Sequence, residues 1–252
     1  IRRTSPSRPG KERCKKLVKT KVDKLVCFDV ESTGVSVEDD RIVQAFIGMM
    51  GLDGEWIEKA EWLIDPGVEI PEGASNVHGY TTERIREVGR KDADAAIFEI
   101  YCTILEWTNV NSPLVIFNAR YDASILDREL GRQHKRFDMT GISVVDPFVC
   151  DKAKFKYRKG SRKLVDVAPH YGVSTEGSLH DAMVDCRITG HIALKMIESW
   201  QGTLAGLHDK QVGWASEQAS SLEDYFDRSG KREPDGSKII IDRQWPMKER
   251  TW

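Results

Sequence analysis

The sequence lacks the segments that define several large classes of protein. No apolar run approaches the roughly 20 residues that a membrane helix needs, and no signal peptide is visible at the start. The five cysteines are scattered and never form a CxxC pair, which argues against a disulfide framework and a zinc–cysteine site. The P-loop pattern and the GxGxxG fingerprint are missing too, so nothing supports a nucleotide-hydrolysing motor or a dinucleotide oxidoreductase. We therefore expect a soluble protein of a reducing compartment, the cytoplasm.

The composition that remains is that of a globular chain with one uneven feature, its charge. The 252 residues are 40% hydrophobic and 31% charged, without an internal repeat. Residues 1–24 hold ten Lys or Arg against two acids, a net charge of +8, and the remaining 228 hold 28 basic and 38 acidic side chains, a net charge of −10. A basic arm on an acidic body can steer the protein toward phosphate backbones. A solvated leader explains the arm equally well.

The order of apolar segments predicts a mixed α/β domain. Three strand-length runs come first, over 25–30, 44–50 and 55–64, and we expect them to pair as consecutive antiparallel strands. A Pro- and Gly-rich loop over 65–73 precedes a helix from Thr81 and a long helix within 92–110. A strand of about five residues (113–118), a helix (121–131), an apolar run (142–146) and two helices (163–173 and 180–200) follow. Residues 201–252 predict an amphipathic helix and a tail that pack back on the core.

Two carboxylates lie on the first predicted strand. Asp29 and Glu31 are two residues apart, so their side chains point to the same face. Burying two acids in a strand costs several kcal/mol unless something neutralises them, and divalent cations would do so. The alternative is a strand end that projects both acids into water.

Two further acids and one histidine lie at later helix starts. Asp122 follows the strand over 113–118, where it can equally serve as a helix cap. Asp185 lies in a mostly apolar helix, five residues after His180. His180 alone suits a surface or capping role. Asp181 is a rival carboxylate whose place in the first helical turn favours simple compensation of the helix dipole.

Four carboxylates from three apolar elements can converge only around cations. Hard oxygen ligands without cysteine imply Mg²⁺ or Mn²⁺ rather than zinc. Two such ions clamp a phosphodiester, one preparing a water and the other stabilising the leaving oxygen. A neutral histidine near that water can take its proton at about pH 7.

Three motifs carry a resemblance to a known family. FDVESTG (28–34), NARYD (118–122) and HDAMVD (180–185) resemble the exonuclease motifs of the DEDDh group, the DnaQ-like 3′–5′ exonucleases. The segment IPEGASNVHGYT (70–81) is similar to a further family segment. The family includes the proofreading subunit of bacterial DNA polymerase III and stand-alone DNases and RNases. The resemblance spans about residues 24–197 and implies a ribonuclease H-like fold with a mixed five-stranded sheet.

The resemblance also implies a role for each motif residue. Asp29 would bridge two Mg²⁺ or Mn²⁺ ions, Glu31 and Asp185 would complete the nucleophile-side site, Asp122 would act at the other ion, and His180 would be the general base. Four further residues would bind the substrate: Thr33 and Gly34 would bring backbone close to the 3′ end, His78 would lie near the terminal nucleotide, and Asn118 would position the second motif. A loop-capping role for His78 and a strand-end turn role for Asn118 stay open.

The chain departs from the family pattern without losing a ligand or the base. Phe117 stands where many relatives have histidine, Tyr121 where they often have phenylalanine, and Ser32 where threonine is frequent. Asp181 occupies the position, four residues before Asp185, at which the DEDDy branch carries its tyrosine. These departures weaken inference about substrate preference and leave the reaction class untouched.

The sequence therefore predicts a metal-dependent 3′–5′ exonuclease in three segments: a basic flexible arm (1–23), a DEDDh exonuclease domain (24–200) and a C-terminal helical appendage (201–252). It would release nucleoside 5′-monophosphates from the 3′ end of DNA, and the resemblance implies a bacterial or phage source. The alternatives are an exoribonuclease of the same family and a polymerase-associated, nucleic-acid-binding module that mainly docks. In the docking alternative Trp200, Trp214, Trp245 and Trp252 stack on bases, whereas the simpler prediction is that they pack.

Overall fold

The strands of the protein form one mixed sheet, seen in a computed structural model that describes residues 20–175 and 181–250. Most of the predicted basic arm and His180 lie outside these described residues. The strands are β1 (Leu25–Ser32), β2 (Ile42–Met50), β3 (Trp56–Leu63), β4 (Leu114–Val115) and β5 (Val144–Val145). Their order in the sheet is β3-β2-β1-β4-β5, with β1–β3 antiparallel and β4 and β5 parallel to β1.

Helices cover both faces of this sheet. They are α1 (Glu72–His78), α2 (Thr82–Val88), α3 (Ala93–Trp107), α4 (Arg120–Arg132), α5 (Pro147–Lys154), α6 (Leu164–Val167), α7 (Ala182–Ser199) and α8 (Leu204–Ser229). A 3₁₀ turn (Ala168–Tyr171) continues α6. Helices α3 and α4 pack on one face of β1 and β2, and α7 packs on the other. Within the part of the chain described, no helix is long and apolar enough to span a bilayer.

The side chains of β1 divide the core into two layers. Val26, Phe28 and Val30 face the layer of α3 and α4, whereas Leu25 and Cys27 face α7. This division follows from the alternation of side chains along a strand. Asp29 and Glu31 continue the α7 side, so the apolar pattern of β1 already decides which helix can meet them.

The three antiparallel strands and helices α2 and α3 are confirmed, and the predicted length of the fourth strand is wrong. Only Leu114 and Val115 form β4, instead of about five residues. Pro113 has no N–H to donate to the ladder, and Asn118 adopts a left-handed conformation with φ of 61°. The chain therefore leaves the sheet just after Ile116, whose N–H still bonds to Val145.

Two helices, α1 and α5, were not predicted from the sequence. The loop predicted over 65–73 gives way to α1 at Glu72, and α5 fills the stretch after the run 142–146. At α5 the Asp146 carboxylate accepts the N–H groups of Phe148 and Val149, and Pro147 occupies the first turn. An Asp cap followed by Pro is a helix-start signal, and it was present in the sequence.

The C-terminal segment packs against the elements that lead to the second motif. On α8, Gln211 donates to the Val144 carbonyl and accepts the Asp146 N–H. Further along, Trp245 is 7% exposed and donates its indole N–H to Asp146. Buried Arg128 on α4 donates to the carbonyls of residues 248 and 249. The predicted burial of Trp245 is correct, and the proposed boundary at residue 201 stays a prediction.

Replacing Trp245 with alanine should destabilise the protein. The change leaves a cavity and removes one donor to the buried Asp146, and large aromatic-to-alanine changes in a core cost about 3–5 kcal/mol. Urea unfolding would measure this loss. Ile240→Ala is the control, because Ile240 is 74% exposed in the same segment. Equal unfolding free energies for the two variants would contradict the anchoring role of Trp245.

Candidate active site

Three carboxylates converge where β1 passes beneath the start of α7. One oxygen from each of Asp29, Glu31 and Asp185 lies within 4.8 Å of the other two. Asp29 and Glu31 both lie within β1, opposite Phe46 and Gln44 of β2. The three side chains are partly buried. The predicted convergence of these acids is therefore present in the fold, and the alternative of a strand end in free solvent does not apply.

Close packing of α7 on the sheet brings Asp185 to β1. Gly190 makes this contact possible, because a Cβ there would lie 2.7 Å from the Met50 sulfur and 2.9 Å from the Cys27 sulfur. Asp181 is the N-cap of α7, and its carboxylate accepts the N–H groups of Met183 and Val184. Asp181 thus has the capping role that its position favoured, which leaves Asp185 as the carboxylate at the cluster.

Asp122 is the fourth acid of the cleft and the most deeply buried. It lies in the first turn of α4, and its Oδ1 accepts the backbone N–H of Val30 at 3.1 Å. This bond ties the start of α4 to β1 between Asp29 and Glu31. Asp122 lines the same cleft as the other three acids, although it is not one of the three whose oxygens lie within 4.8 Å of one another.

Burial and mutual repulsion make the ionised cluster costly. Burial, followed by the charges of Asp185 and Asp122, raises the pKa of Glu31 to about 8. Burial and the neighbouring Asp122 and Glu31 raise the pKa of Asp29 well above its usual range. Burial also raises the pKa of Asp122, against the lowering effect of the Val30 N–H. Bound divalent cations would reverse these shifts, because they stabilise the charged form of each acid.

The donor set fits hard divalent cations. Every candidate ligand is a carboxylate oxygen, which Mg²⁺ and Mn²⁺ prefer. Cys27 and Cys186 lie nearby within the core, but burial raises the pKa of both thiols far above neutrality, so neither offers a thiolate. Asp29, Glu31 and Asp185 could hold one ion, and Asp29 with Asp122 could contribute to a second.

A rigid turn follows β1 at Thr33 and Gly34. The Thr33 hydroxyl donates to Asp40 and accepts the N–H of Arg41. A Cβ at Gly34 would lie 2.6 Å from the Asp40 carboxylate, so any other residue there would displace the side chain to which Thr33 bonds. Ser32 and Tyr121, two of the departures from the family pattern, meet here. Their hydroxyl oxygens lie 2.6 Å apart and both lie within hydrogen-bond distance of the Gly34 carbonyl, so one hydroxyl can donate to the carbonyl while the other donates to its neighbour.

His78 and Asn118 each take up the structural role that the sequence left open. The His78 ring lies 3.2 Å from the Ser32 carbonyl and accepts the N–H of Tyr80, so it links the end of α1 to β1. Asn118 forms the left-handed turn before α4, and its N–H donates to Asp146. Asn118 also lines the cleft. A role in substrate binding stays a prediction for both residues.

The cleft above the acids has a volume of about 610 Å³. Beyond the predicted residues it is lined by Phe117 and Phe148, whose rings meet edge to face, and by Ser161, Arg162 and Lys163. The last three belong to a basic run over 152–163, which the sequence shows but which was not predicted as part of the site. His180 lies outside the described residues, immediately before Asp181.

Comparison with known proteins identifies the family to which this fold and acid cluster belong. An exonuclease family profile matches residues 26–193, about two thirds of the chain. The chain therefore belongs to the exonuclease family, and its DnaQ-like character and ribonuclease H-like fold are confirmed. Family membership makes a nuclease activity that uses divalent metal ions the expected chemistry of this cleft.

Individual relatives cover the same region. The chain is 29% identical over 174 residues to the PolC-type DNA polymerase III of Clostridium perfringens, covering 68% of this chain and 11% of the polymerase. It is 28% identical over 178 residues to an uncharacterized exonuclease of Escherichia phage 186, covering 66% of this chain and 84% of that protein. The structure of an exonuclease I superposes with a TM-score of 0.60 at 19% identity, covering 80% of this chain and 46% of the other. The last similarity supports the fold alone.

The raised pKa of Glu31 predicts a pH-dependent stability of the metal-free protein. Folding favours the neutral carboxyl of Glu31 over the charged one. The stability that Glu31 contributes is therefore complete below its unfolded pKa of about 4.5. This stability is lost as the pH rises through the folded pKa of about 8. In EDTA, the unfolding free energy should fall between about pH 4.5 and pH 8. Glu31→Gln should flatten this fall, and exposed Glu58→Gln should not. Urea unfolding at pH 5.5 and pH 8 measures both, and equal pH dependence in wild type and Glu31→Gln would contradict the account.

Proposed function

We propose that the protein is a metal-dependent 3′–5′ exonuclease that hydrolyses the terminal phosphodiester of DNA and releases nucleoside 5′-monophosphates. The observation that carries the proposal is the approach of Asp29, Glu31 and Asp185 oxygens to within 4.8 Å of one another on the floor of an open cleft. A buried cluster of acids destabilises a protein unless cations neutralise it. This cost favours a cation-binding role for the cluster. The DnaQ-like motifs that supply these acids support the direction of cleavage.

The acids have separate positions in this proposal. Asp29 would contribute to both ions, Glu31 and Asp185 would hold the ion on the nucleophile side, and Asp122 would act at the other. When bound, the two cations supply an activated water and neutralise the charge that develops on the phosphate. Asp122 also accepts the Val30 N–H, so it holds the start of α4 against the strand that carries Asp29 and Glu31. Its replacement therefore disturbs both the ligand set and the strand.

Residues around the cleft suit a terminal nucleotide. Thr33 and Gly34 form the turn that directly follows the strand carrying Asp29 and Glu31, and in this proposal their backbone lies close to the 3′ end. Phe117 and Phe148 offer apolar surface beside the acids, suited to contact with a base. His78 contacts the Ser32 carbonyl at the end of β1, and Asn118 forms the turn before α4.

DNA is the preferred substrate over RNA in this proposal, and a polymerase is a possible partner. The relatives support both points, since several are named DNA polymerase III and the structural neighbours include E. coli exonuclease I in complex with a dT13 oligonucleotide. The chain spans about a tenth of the polymerase relatives and under half of exonuclease I. An exoribonuclease of the same family is the second candidate.

Asp29→Asn tests the reaction class. This change keeps the shape of the side chain and removes a charged ligand, so Mg²⁺-dependent cleavage should fall by at least about 1,000-fold, which corresponds to about 4 kcal/mol of transition-state stabilisation. A time course on 3′- and 5′-labelled single strands of DNA and RNA measures rate, direction and substrate together.

Asp181→Asn is the matched control for Asp29→Asn. Asparagine caps a helix about as well as aspartate, so α7 should stay in place and activity should stay within about tenfold of wild type, because no ligand is removed. Undiminished metal-dependent hydrolysis in Asp29→Asn would overturn the assignment. Shortening from the 5′ end would overturn the direction.

The assignment of His180 as general base yields a separate prediction. His180→Ala should lower turnover by about 100- to 10,000-fold, the usual contribution of general acid–base catalysis. Mn²⁺ affinity should stay close to wild type, because the carboxylates are intact. Turnover and Mn²⁺ binding by calorimetry would be measured on the same protein. An unaltered rate would remove His180 from the mechanism, and a lost metal affinity would make it a ligand.

A further inference from the structure

A strongly basic segment borders the acidic cleft. Residues 152–163 contain seven Lys or Arg and no Asp or Glu. They comprise the end of α5 and the loop that leads to α6. Arg158 and Arg162 both pair with the buried carboxylate of Asp151, which anchors the loop. None of the five lysines in this segment forms an ion pair with an acid in the described parts of the chain.

This segment joins the cleft to a neighbouring groove. Arg162 lines the acidic cleft, and it also lines a groove of about 450 Å³ between the segment and α8. Lys152, Lys156 and Arg158 line the groove as well, against a single acid, Glu217. A continuous basic surface therefore leads away from the carboxylates, along which positive charge would offset the repulsion between a polyanion and the acid cluster.

Exposed aromatic rings alternate with these charges. Tyr157 is 89% exposed in the middle of the basic segment, and Tyr225 of α8 is 58% exposed where it lines the groove. Trp214 forms part of the groove wall. Basic side chains that contact phosphates, interleaved with rings on which bases stack, are the usual surface for a single nucleic-acid strand.

We propose that residues 152–163, with Tyr225 of α8, form a track that binds the backbone and bases of a single strand whose 3′ end lies at the carboxylate cluster. The proposal rests on the proposed exonuclease function for the placement of the 3′ end, but strand binding itself does not. Lys156 and Lys159 contact phosphates, and Tyr157 stacks on a base. The track lies partly on α8, so the segment after residue 200 contributes to substrate binding.

The test separates charge from stacking. Binding of a 5′-labelled oligothymidylate of about 20 nucleotides is followed by fluorescence anisotropy in EDTA, between 0.1 M and 1 M salt. The double variant Lys156→Gln/Lys159→Gln should reduce the slope of log affinity against log salt by about 1.4, because each phosphate contact on a single strand contributes about 0.7. The loss of affinity caused by the double substitution should therefore be about 25-fold larger at 0.1 M salt than at 1 M salt. Tyr157→Ala should weaken binding at every salt concentration by about 5- to 150-fold without changing the slope.

The control pair is Lys59→Gln/Lys195→Gln. Both lysines are exposed and line a separate basic groove with Arg187 and His191, so this variant carries the same change in net charge. It should leave the salt slope unaltered. Equal losses in the two double variants, or a loss in the control pair alone, would overturn the track. Retained oligothymidylate binding in the Lys156/Lys159 variant, with lost binding of a polyglutamate peptide, would also overturn it, in favour of an acidic protein partner.

Turnover distinguishes failure of the track from failure of the proposed function. The ratio of kcat/KM for the long strand to kcat/KM for thymidine 5′-monophosphate p-nitrophenyl ester should fall in the Lys156/Lys159 variant, since the ester is too small to reach the track. A wild-type protein that hydrolyses neither compound would reject the exonuclease proposal, while the anisotropy data would still decide on the track. An unchanged ratio and an unchanged salt slope would reject the track alone.

Discussion

Repulsion among buried carboxylates is the constraint on which the rest of the site depends. Asp29, Glu31 and Asp185 lie within 4.8 Å of one another, and Asp122 lines the same cleft. Burial and mutual charge raise the pKa of Glu31 to about 8, so the metal-free protein loses stability as the pH rises toward that value. The surrounding structure must therefore hold these acids together against their mutual repulsion, and bound cations would reduce that repulsion.

Part of this surrounding structure is a further buried carboxylate, that of Asp146, which accepts several hydrogen bonds. Asp146 accepts the N–H groups of Asn118 and Ala119 before α4, caps α5, and accepts the indole N–H of Trp245. The turn that delivers Asp122 is thus tied to β5, α5 and the C-terminal tail at one point. Buried carboxylates are retained where donors satisfy them, and here the donors come from three separate segments.

Much of the fold was predictable because its signals are local. Alternating apolar residues predicted β1 to β3, and Asp29 and Glu31 were paired from their spacing alone. Other features depend on contacts far apart in the sequence. The bond from Val30 to Asp122 joins positions 92 residues apart, and the shortening of β4 depends on a turn held by Asp146. The excess of basic residues at 152–163 is visible in the sequence. Only the three-dimensional structure shows that this segment borders both α8 and the acidic cleft.

The acidic site and the basic surface beside it make one electrostatic arrangement. Under the proposed function, the acids would hold cations where a bond is cut, and the lysines of 152–163 would provide positive charge where the rest of a strand lies. The central claim is that the acid cluster is a cation site, and anomalous diffraction from crystals soaked in Mn²⁺ tests it most directly. The account predicts anomalous density in contact with Asp29, Glu31 and Asp185. Crystals with Mn²⁺ bound elsewhere and none at these three carboxylates would contradict it.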